Sequence, residues 1–291
     1  MCDLRNKSLE LVANIILGDM NKPIYRYLAD RKWRSYQRKI IVQRINQLGI
    51  VPDALPFFEP TAEVRMAFGK RNVQPGEFID SRVSEHPARL KVQVFDQGER
   101  LVTVVVIDGD VPDIENDKYT TRCHYLACNI PISPTQTSLP LSHATDSQLV
   151  HSWLPPFAQK GSTYHRYSVF VLQQAPGKEG EIKVDEAFIK KIKRHRFSLR
   201  TFALHHGMEP IGVSVFRNLW DEGTADVMVR ACIEGSDIEF KRKKIEPLKP
   251  KQKARGWEAR HAGPKYASLR KGRGTLRRVI NKQSRGRKGG H

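Results

Sequence analysis

Cysteine is scarce in this chain: only Cys2, Cys123, Cys128 and Cys232 occur, with no CxxC pair and no paired metal spacing. That excludes a disulfide-stapled scaffold and a cysteine-ligated zinc site, and the thiols read as reduced, inside a cell compartment. Long apolar runs are missing too, and nothing approaches the roughly 20 residues of a membrane-spanning helix. The opening MCDLRNKSLE lacks the apolar core of a secretory signal. It also holds, with the residues just after it, Asp3, Glu10 and Asp19, acids that a transit peptide avoids. Import by another signal, or a start inside a longer precursor, is therefore expected. There is no internal repeat, no metal triad and no nucleophile–base motif, so neither a metal, a cofactor nor an enzymatic activity is expected. Gly272-Arg273-Gly274 follows no predicted strand and is no nucleotide-binding loop.

Acids are also short, but only at the ends. The whole chain carries a net charge of +19. Residues 1–50 hold ten basic and four acidic side chains, residues 241–291 hold 19 and two, and residues 51–240 hold 21 and 25. A slightly acidic body with two basic ends is the pattern of a folded module tethered to a polyanion. The segment after Phe240 is rich in Lys, Arg and Gly and poor in bulky apolar residues. Such a composition does not bury enough surface to offset an ordering cost of roughly 1–2 kcal/mol per residue, so alone it is expected to be disordered. Its candidate phosphate contacts are Lys241, Arg242, Lys243, Lys244, Lys251, Lys253, Arg255, Arg260, Arg270, Lys271, Arg273, Arg277, Arg278, Arg285, Arg287 and Lys288. Trp257 and Tyr266 are candidates for stacking on bases.

Residues 5–17 predict a short amphipathic helix ended by Asn21-Lys22-Pro23. Residues 24–48 predict a longer one, with Trp33, Tyr36, Ile40, Ile41 and Leu48 on one face, although Arg44 also falls there. From Val51 the texture turns to short Val-, Ile-, Phe- and Tyr-rich runs: Glu63–Phe68, Leu90–Phe95, Leu101–Ile107, Arg122–Ile130, Arg166–Gln173 and Asp226–Ile233. Helices are expected at Asp185–Lys193 and at Leu199–His206, the latter with Ser198 as N-cap, Gly207 past its end and His205-His206 capping its carbonyls. The expectation is a mainly β fold with peripheral helices, divided into a basic helical extension (1–50), a β domain (51–240) and a basic tail (241–291).

Specific blocks punctuate the β domain. Asp108-Gly109-Asp110-Val111-Pro112 follows an apolar strand, then come Cys123-His124-Tyr125-Leu126 and Asn129-Ile130-Pro131. Further on are Gly161-Ser162-Thr163-Tyr164-His165-Arg166-Tyr167, Phe197-Ser198-Leu199-Arg200-Thr201-Phe202 and Val215-Phe216-Arg217. This order resembles the phosphatidylethanolamine-binding protein family, with its DPDxP, H-aromatic-L, NIP and HR-[YV] blocks. The resemblance spans about residues 51–240 and implies that family's β-sandwich. It also implies a small anion pocket lined by Asp108, His124, His165 and Tyr167. The residue types suit that task, since imidazoles and a phenol can donate to a phosphate and a carboxylate can orient an imidazole.

Three departures bear on that pocket. The family's stiffening proline in the first block is Gly109 here. Arg122 and Cys123 stand before the pocket histidine. The glycine-rich approach to the HRY block is replaced by the bulky His151-Ser152-Trp153-Leu154-Pro155-Pro156-Phe157. The site is expected to be vestigial, a satisfied buried network. Within the family the resemblance is greatest to the branch found in mitochondrial large ribosomal subunits, in its fungal form. It rests on VPDALP (51–56), PGEF (75–78), WLPPFAQKG (153–161), FRNLWDE (216–222) and EFKRKK (239–244). That branch implies a mitochondrial-matrix protein bound to mitochondrial rRNA and neighbouring ribosomal proteins, without a membrane span. An anion- or phospholipid-binding signalling module is the alternative. A small hydrolase using the Asp/His cluster is disfavoured, because no nucleophile has a recognisable activating context.

Overall fold

The computed structural model describes residues 19–141, 148–177, 180–241, 255–257 and 260. The predicted helix over 5–17 and most of the basic tail lie outside them. The chain divides into two units, Met1–Lys241 and Arg242–His291, and both sheets lie in the first.

The described chain opens with helices α1 (Pro23–Ser35) and α2 (Gln37–Gln47), then a short turn, α3 (Ile50–Asp53). Pro23 begins α1, where its missing N–H costs nothing. One continuous helix was expected here. Instead the backbone breaks at Tyr36 (φ −135°, ψ −64°) and starts a new helix. The break changes the phase of the stripe: Trp33, Ile41 and Ile45 are buried, Tyr36 is 69% exposed, and Arg44 turns to solvent. The imperfect one-helix stripe is thus resolved by two helices. Arg26 is buried because its guanidinium donates to the carbonyls of Met20 (3.0 Å) and Asn21 (2.7 Å).

Strands β1 (Glu63–Phe68), β2 (Arg71–Val73) and β3 (Glu77–Phe78) precede a helical turn, α4 (Ser81–Ser84). Then come β4 (Arg89–Gln93), the long pair β5 (Arg100–Asp113) and β6 (Lys118–Ile132), β7 (Ser138–Pro140), β8 (Leu149–His151) and β9 (His165–Gln173). Helices α5 (Glu186–Lys191) and α6 (Leu199–His205), strand β10 (Glu209–Asn218) and helix α7 (Thr224–Arg230) complete the unit. The strands form a four-stranded sheet, β2-β1-β4-β7, and a six-stranded sheet, β3-β10-β9-β5-β6-β8; neither closes into a barrel. All pairings are antiparallel except β3 with β10.

Two apolar cores hold the layers together. Val102, Val104 and Val106 of β5 and Val169 and Val171 of β9 face Met66, Phe68, Leu90 and Val92 of the small sheet. On the opposite face Val105, Ile107, Phe170 and Leu172 meet Ile41, Ile45, Ile50, Phe197 and Phe202 of the helical layer. The alternation explains the unbroken apolar run of β5, a strand buried on both sides.

Two expectations fail. Asp226–Ile233 is not a strand: residues 224–230 form α7, which buries Thr224, Val227 and Met228 on one face. So short an apolar run fits either period. Conversely β10 escaped notice because Pro210 and Gly212 interrupt it. Gly212 is required there, since a Cβ would stand 2.5 Å from Val64 Cγ2. Ser198 is the N-cap as expected, accepting from the Thr201 N–H, and Gly207 adopts φ 58°; Asp185, expected inside its helix, is instead its N-cap and accepts from the Phe188 N–H. The ring of His206, however, packs on Phe202 (4.9 Å between centroids) and Phe188 (5.7 Å) rather than on carbonyls.

Candidate functional site

The end of the large sheet brings Asp108, His124, His165 and Tyr167 together, all on the face toward the small sheet. Asp108 continues the alternation of Val104 and Val106 on β5, while His165 and Tyr167 open β9 and pair across at Asp108↔Tyr167. β5 does not turn after Ile107, as the sequence suggested, but runs on to Asp113 with an irregularity at residues 109 and 110. His124 arrives by a bulge. Val106 pairs with Tyr125 and Ile107 with Cys123, so His124 is an extra residue on β6. The bulge turns its ring to the same side as Tyr125.

The site is closed. Relative exposures are 2% for Asp108, 0% for His124, 3% for His165 and 0% for Tyr167. The bulky segment before the HRY block closes it largely with backbone. His124 Nδ1 donates to the Leu154 carbonyl (3.0 Å), and the Leu154 N–H donates to the His124 carbonyl (2.9 Å). The Tyr167 hydroxyl donates to the Phe157 carbonyl (2.7 Å) and accepts from the Phe157 N–H (3.0 Å). The Phe157 ring lies 6.0 Å from that of His124, and the Arg122 guanidinium covers Phe157 at 5.2 Å. Trp153 leaves the site and donates to the carbonyls of Ser84 and Glu85.

His165 Nδ1 lies 2.7 Å from Asp108 Oδ2, and the Asp110 N–H donates to Asp108 Oδ1 at 2.9 Å. Burial disfavours both charges, yet each partner more than offsets it: Asp108 is held below the usual carboxylate range and His165 above the usual histidine range. Each partner thus favours the charged form of the other. His124 is the reverse case. Burial pushes it down to about 4 despite the Asp108 charge, so it is neutral at pH 7. Because Leu154 can only accept, the proton of that neutral ring sits on Nδ1. Its buried Nε2 is then a bare acceptor, and it has no hydrogen-bond partner among the described residues.

Sequence reasoning missed two participants. Ser162 Oγ stands 3.4 Å from His165 Nε2, which gives the outline of a Ser–His–Asp relay. The details oppose nucleophilic catalysis: the hydroxyl is within 2.7 Å of the Gln159 carbonyl, which takes its proton, and the Asp108 carboxylate favours the protonated, non-basic form of His165. Nothing in a short Gly-Ser-Thr turn announces that contact. Gly161 is needed in this turn, at φ 82° with the Phe240 carbonyl oxygen 2.0 Å from where a Cβ would stand. The second omission is Asp110, which takes both Arg166 Nη2 (2.7 Å) and Nε (2.8 Å). The same guanidinium reaches the Leu48 carbonyl and Asp53 (3.0 Å), so it pins the N-terminal helical segment to β9.

Of the tail candidates, Lys241, Arg255, Trp257 and Arg260 are described, and all are exposed. Arg242, Lys243, Lys244, Lys251, Lys253, Tyr266, Arg270, Lys271, Arg273, Arg277, Arg278, Arg285, Arg287 and Lys288 lie outside the described residues, as does the expected disorder there. Among the described residues no His/Cys/Asp/Glu group is arranged to hold a metal, and no helix is long and apolar enough to cross a membrane.

The layered sheets and the quartet at their end define the class. Residues 68–209 match the model of the phosphatidylethanolamine-binding protein family, and the chain carries a domain of that family. Among individual proteins, it is similar to the large ribosomal subunit protein mL38 of Schizosaccharomyces pombe, 28% identical over 207 residues. That match covers 70% of this chain, and the chain spans only 64% of that relative's length. Protein TERMINAL FLOWER 1 of Arabidopsis thaliana is 29% identical over 177 residues, 60% of this chain and 89% of that one. A chain in the crystal structure of carboxypeptidase Y inhibitor complexed with the cognate proteinase shares the fold, with a TM-score of 0.51 at 17% identity. That likeness covers 63% of this chain and 97% of the other.

Proposed function

We propose that this protein is a non-catalytic structural component of the mitochondrial large ribosomal subunit, working in the mitochondrial matrix. In this reading residues 51–240 are the folded body, 1–50 a helical extension that meets neighbouring ribosomal proteins, and 241–291 a basic tail that holds mitochondrial rRNA. The observation that carries it is the similarity to the large-subunit protein mL38, which runs over 207 residues where the family match alone covers 68–209. The charge distribution supports it: a body rich in acids leaves backbone phosphates to the basic ends.

The quartet is then a vestigial anion site kept as a buried joint. Its donors are spent. His124 Nδ1 and the Tyr167 hydroxyl are given to backbone carbonyls, and His124 Nε2 offers a lone pair that repels a phosphate oxygen. Only His165 Nε2 remains, and it already faces the Ser162 hydroxyl at 3.4 Å.

Sedimentation of native mitochondrial extract through a density gradient tests the ribosomal reading. The protein should travel with the large subunit, and deletion of residues 245–291 should release it while leaving its thermal unfolding unchanged. A full chain that stays among free monomers would refute the reading. The alternative, an anion-binding module, draws support from the unpartnered His124 Nε2. Calorimetric titration of the full chain with phosphate and phosphoethanolamine should give no saturable heat; a saturable isotherm abolished by His165→Ala would establish the alternative.

A further inference from the structure

Residues 187–208 contain no Asp or Glu, yet they carry Lys190, Lys191, Lys193, Arg194, Arg196 and Arg200. This basic stretch hides inside a body whose acids outnumber its bases, so segment-wide charge did not reveal it. Folding places it around α5 and α6 and gathers its rings. Phe188 and Phe202 lie 5.7 Å and 4.9 Å from His206, and Phe197 lies 5.5 Å from Phe202. Together they floor an open hollow of about 770 Å³ whose rim includes Lys191, Lys193 and Arg196. No acid lines it.

The surrounding charges decide which cations are available. Lys190 is taken by Glu186 (3.1 Å) and Arg196 by Asp113 (3.0 Å). Arg194 turns inward, donating to the carbonyls of His124 (3.2 Å) and Ser152 (2.9 Å). Lys191 and Lys193 are exposed and have no ion-pair partner among the described residues. The hollow is preformed, because the Cys123 N–H donates to the Arg194 carbonyl (2.8 Å) and the Thr121 hydroxyl to that of Phe197. An aromatic floor beside unneutralised cations suits a ligand with a flat apolar body and an adjoining negative charge. A membrane contact would instead favour apolar side chains standing proud of the basic face, and an acidic peptide has no use for the rings.

We infer that this hollow is a second RNA contact, which takes an unstacked nucleotide with its base on the half-buried Phe188 and His206 rings and its phosphates on Lys191 and Lys193. The inference rests on the rRNA-binding reading but uses a surface separate from the tail residues assigned there. A cavity of this size falls in the range of small-ligand sites and accommodates one or two nucleotides.

Fluorescence anisotropy of the full chain with a twelve-nucleotide oligouridylate, and with duplex RNA of the same length, tests it. The double variant Lys191→Glu, Lys193→Glu should weaken single-strand binding about tenfold or more at 0.15 M salt. It should also reduce the slope of log affinity against log salt by about 1.4. Phe188→Ala should weaken single-strand binding about tenfold and duplex binding less than twofold, because only unpaired bases stack. If Phe188→Ala fails to fold, photocrosslinking of 4-thiouridine RNA to the wild type replaces it, with adducts expected on the peptides holding Phe188 or His206. Wild-type affinity in both variants, with binding lost on deleting 245–291, overturns the hollow and leaves the tail reading intact. Undiminished binding in the variants and in the deletion overturns both. Equal losses on both RNAs for the charge variant with none for Phe188→Ala reduce the hollow to a bare basic face and overturn the nucleotide site. Loss of pelleting with phosphatidylserine vesicles, with RNA binding unchanged, overturns it in favour of a lipid.

Discussion

Acidification should destabilise this protein through His124, in the same pH window in which His151, also pushed down to about 4 by burial, loses its own contribution. The His124 imidazole is fully buried with Nδ1 committed to Leu154, and burial pushes its pKa down to about 4, against about 6.5 in an unfolded chain. The unfolded chain therefore binds the extra proton first, and stability that is fully present above pH 6.5 is lost as pH falls toward 4. A gap of about 2.5 units is worth about 3 kcal/mol, of which about 2–3 kcal/mol is gone by pH 4.5. The neighbouring His165–Asp108 pair does not mask this. The raised His165 contributes stability already fully present below pH 6.5 and lost only as pH rises through its folded value. The lowered Asp108 contributes stability present above about pH 3.9 and lost only below it. Urea titrations followed by tryptophan fluorescence at pH 7 and pH 4.5 measure the loss. In His124→Asn the amide can replace the Nδ1–H donor without titrating. That variant should be less stable at pH 7, through lost contacts to Tyr167 and Phe157, yet lose about 2–3 kcal/mol less between the two pH values. An identical acid-induced loss in wild type and variant would refute the reasoning.

Other consequences follow from named contacts. Arg166→Ala should cost about 2–4 kcal/mol, because it leaves Asp110 partly buried without its partner and frees the Leu48–Asp53 segment; hydrogen exchange should rise most in α2 and α3. Gly212→Ala should destabilise by about 1–3 kcal/mol in a thermal melt, since the added methyl meets Val64 Cγ2 at 2.5 Å. Cys123 and Cys128 are pushed up to about 12 by burial, whereas Cys232 is exposed. A disulfide reagent at pH 8 should therefore modify Cys232 in the native protein and reach Cys123 and Cys128 only in denaturant.

How much of this was legible depended on which groups carried the information. Side-chain periodicity and the order of blocks located β1, β4, β5, β6 and β9, and Ser198 marked its helix correctly because an N-cap is a local device. The four quartet residues were identifiable because each sits inside a named block. What closes over them was only half legible. The bulk of Trp153, Leu154 and Phe157 suggested crowding, but the closure is made by the Leu154 and Phe157 peptide groups, which have no sequence signature. The bulge at His124 is invisible for a related reason, since it is a mismatch of register between β5 and β6 and belongs to neither strand alone. Tyr36 misled because a helical stripe carries no mark where the backbone resets its phase. The basic stretch 187–208 was overlooked because its charge was averaged with that of an acidic body.

Strand β9 gives the quartet a structural reason to persist, whether or not it holds an anion. Its odd positions, His165 and Tyr167, point to the closed site, while Arg166 between them crosses to the helical face and gathers Asp110, the Leu48 carbonyl and Asp53. The two faces cannot vary independently. A one-residue slip of β9 against β5 would turn His165 toward the apolar helical core, strand Asp108 without its partner and bring Arg166 between the sheets, leaving unpaired buried charges that cost several kcal/mol. Against a hydrophobic replacement such a pair adds little net stability, but it penalises every wrong register heavily. The polar quartet supplies that penalty whether or not an anion ever enters.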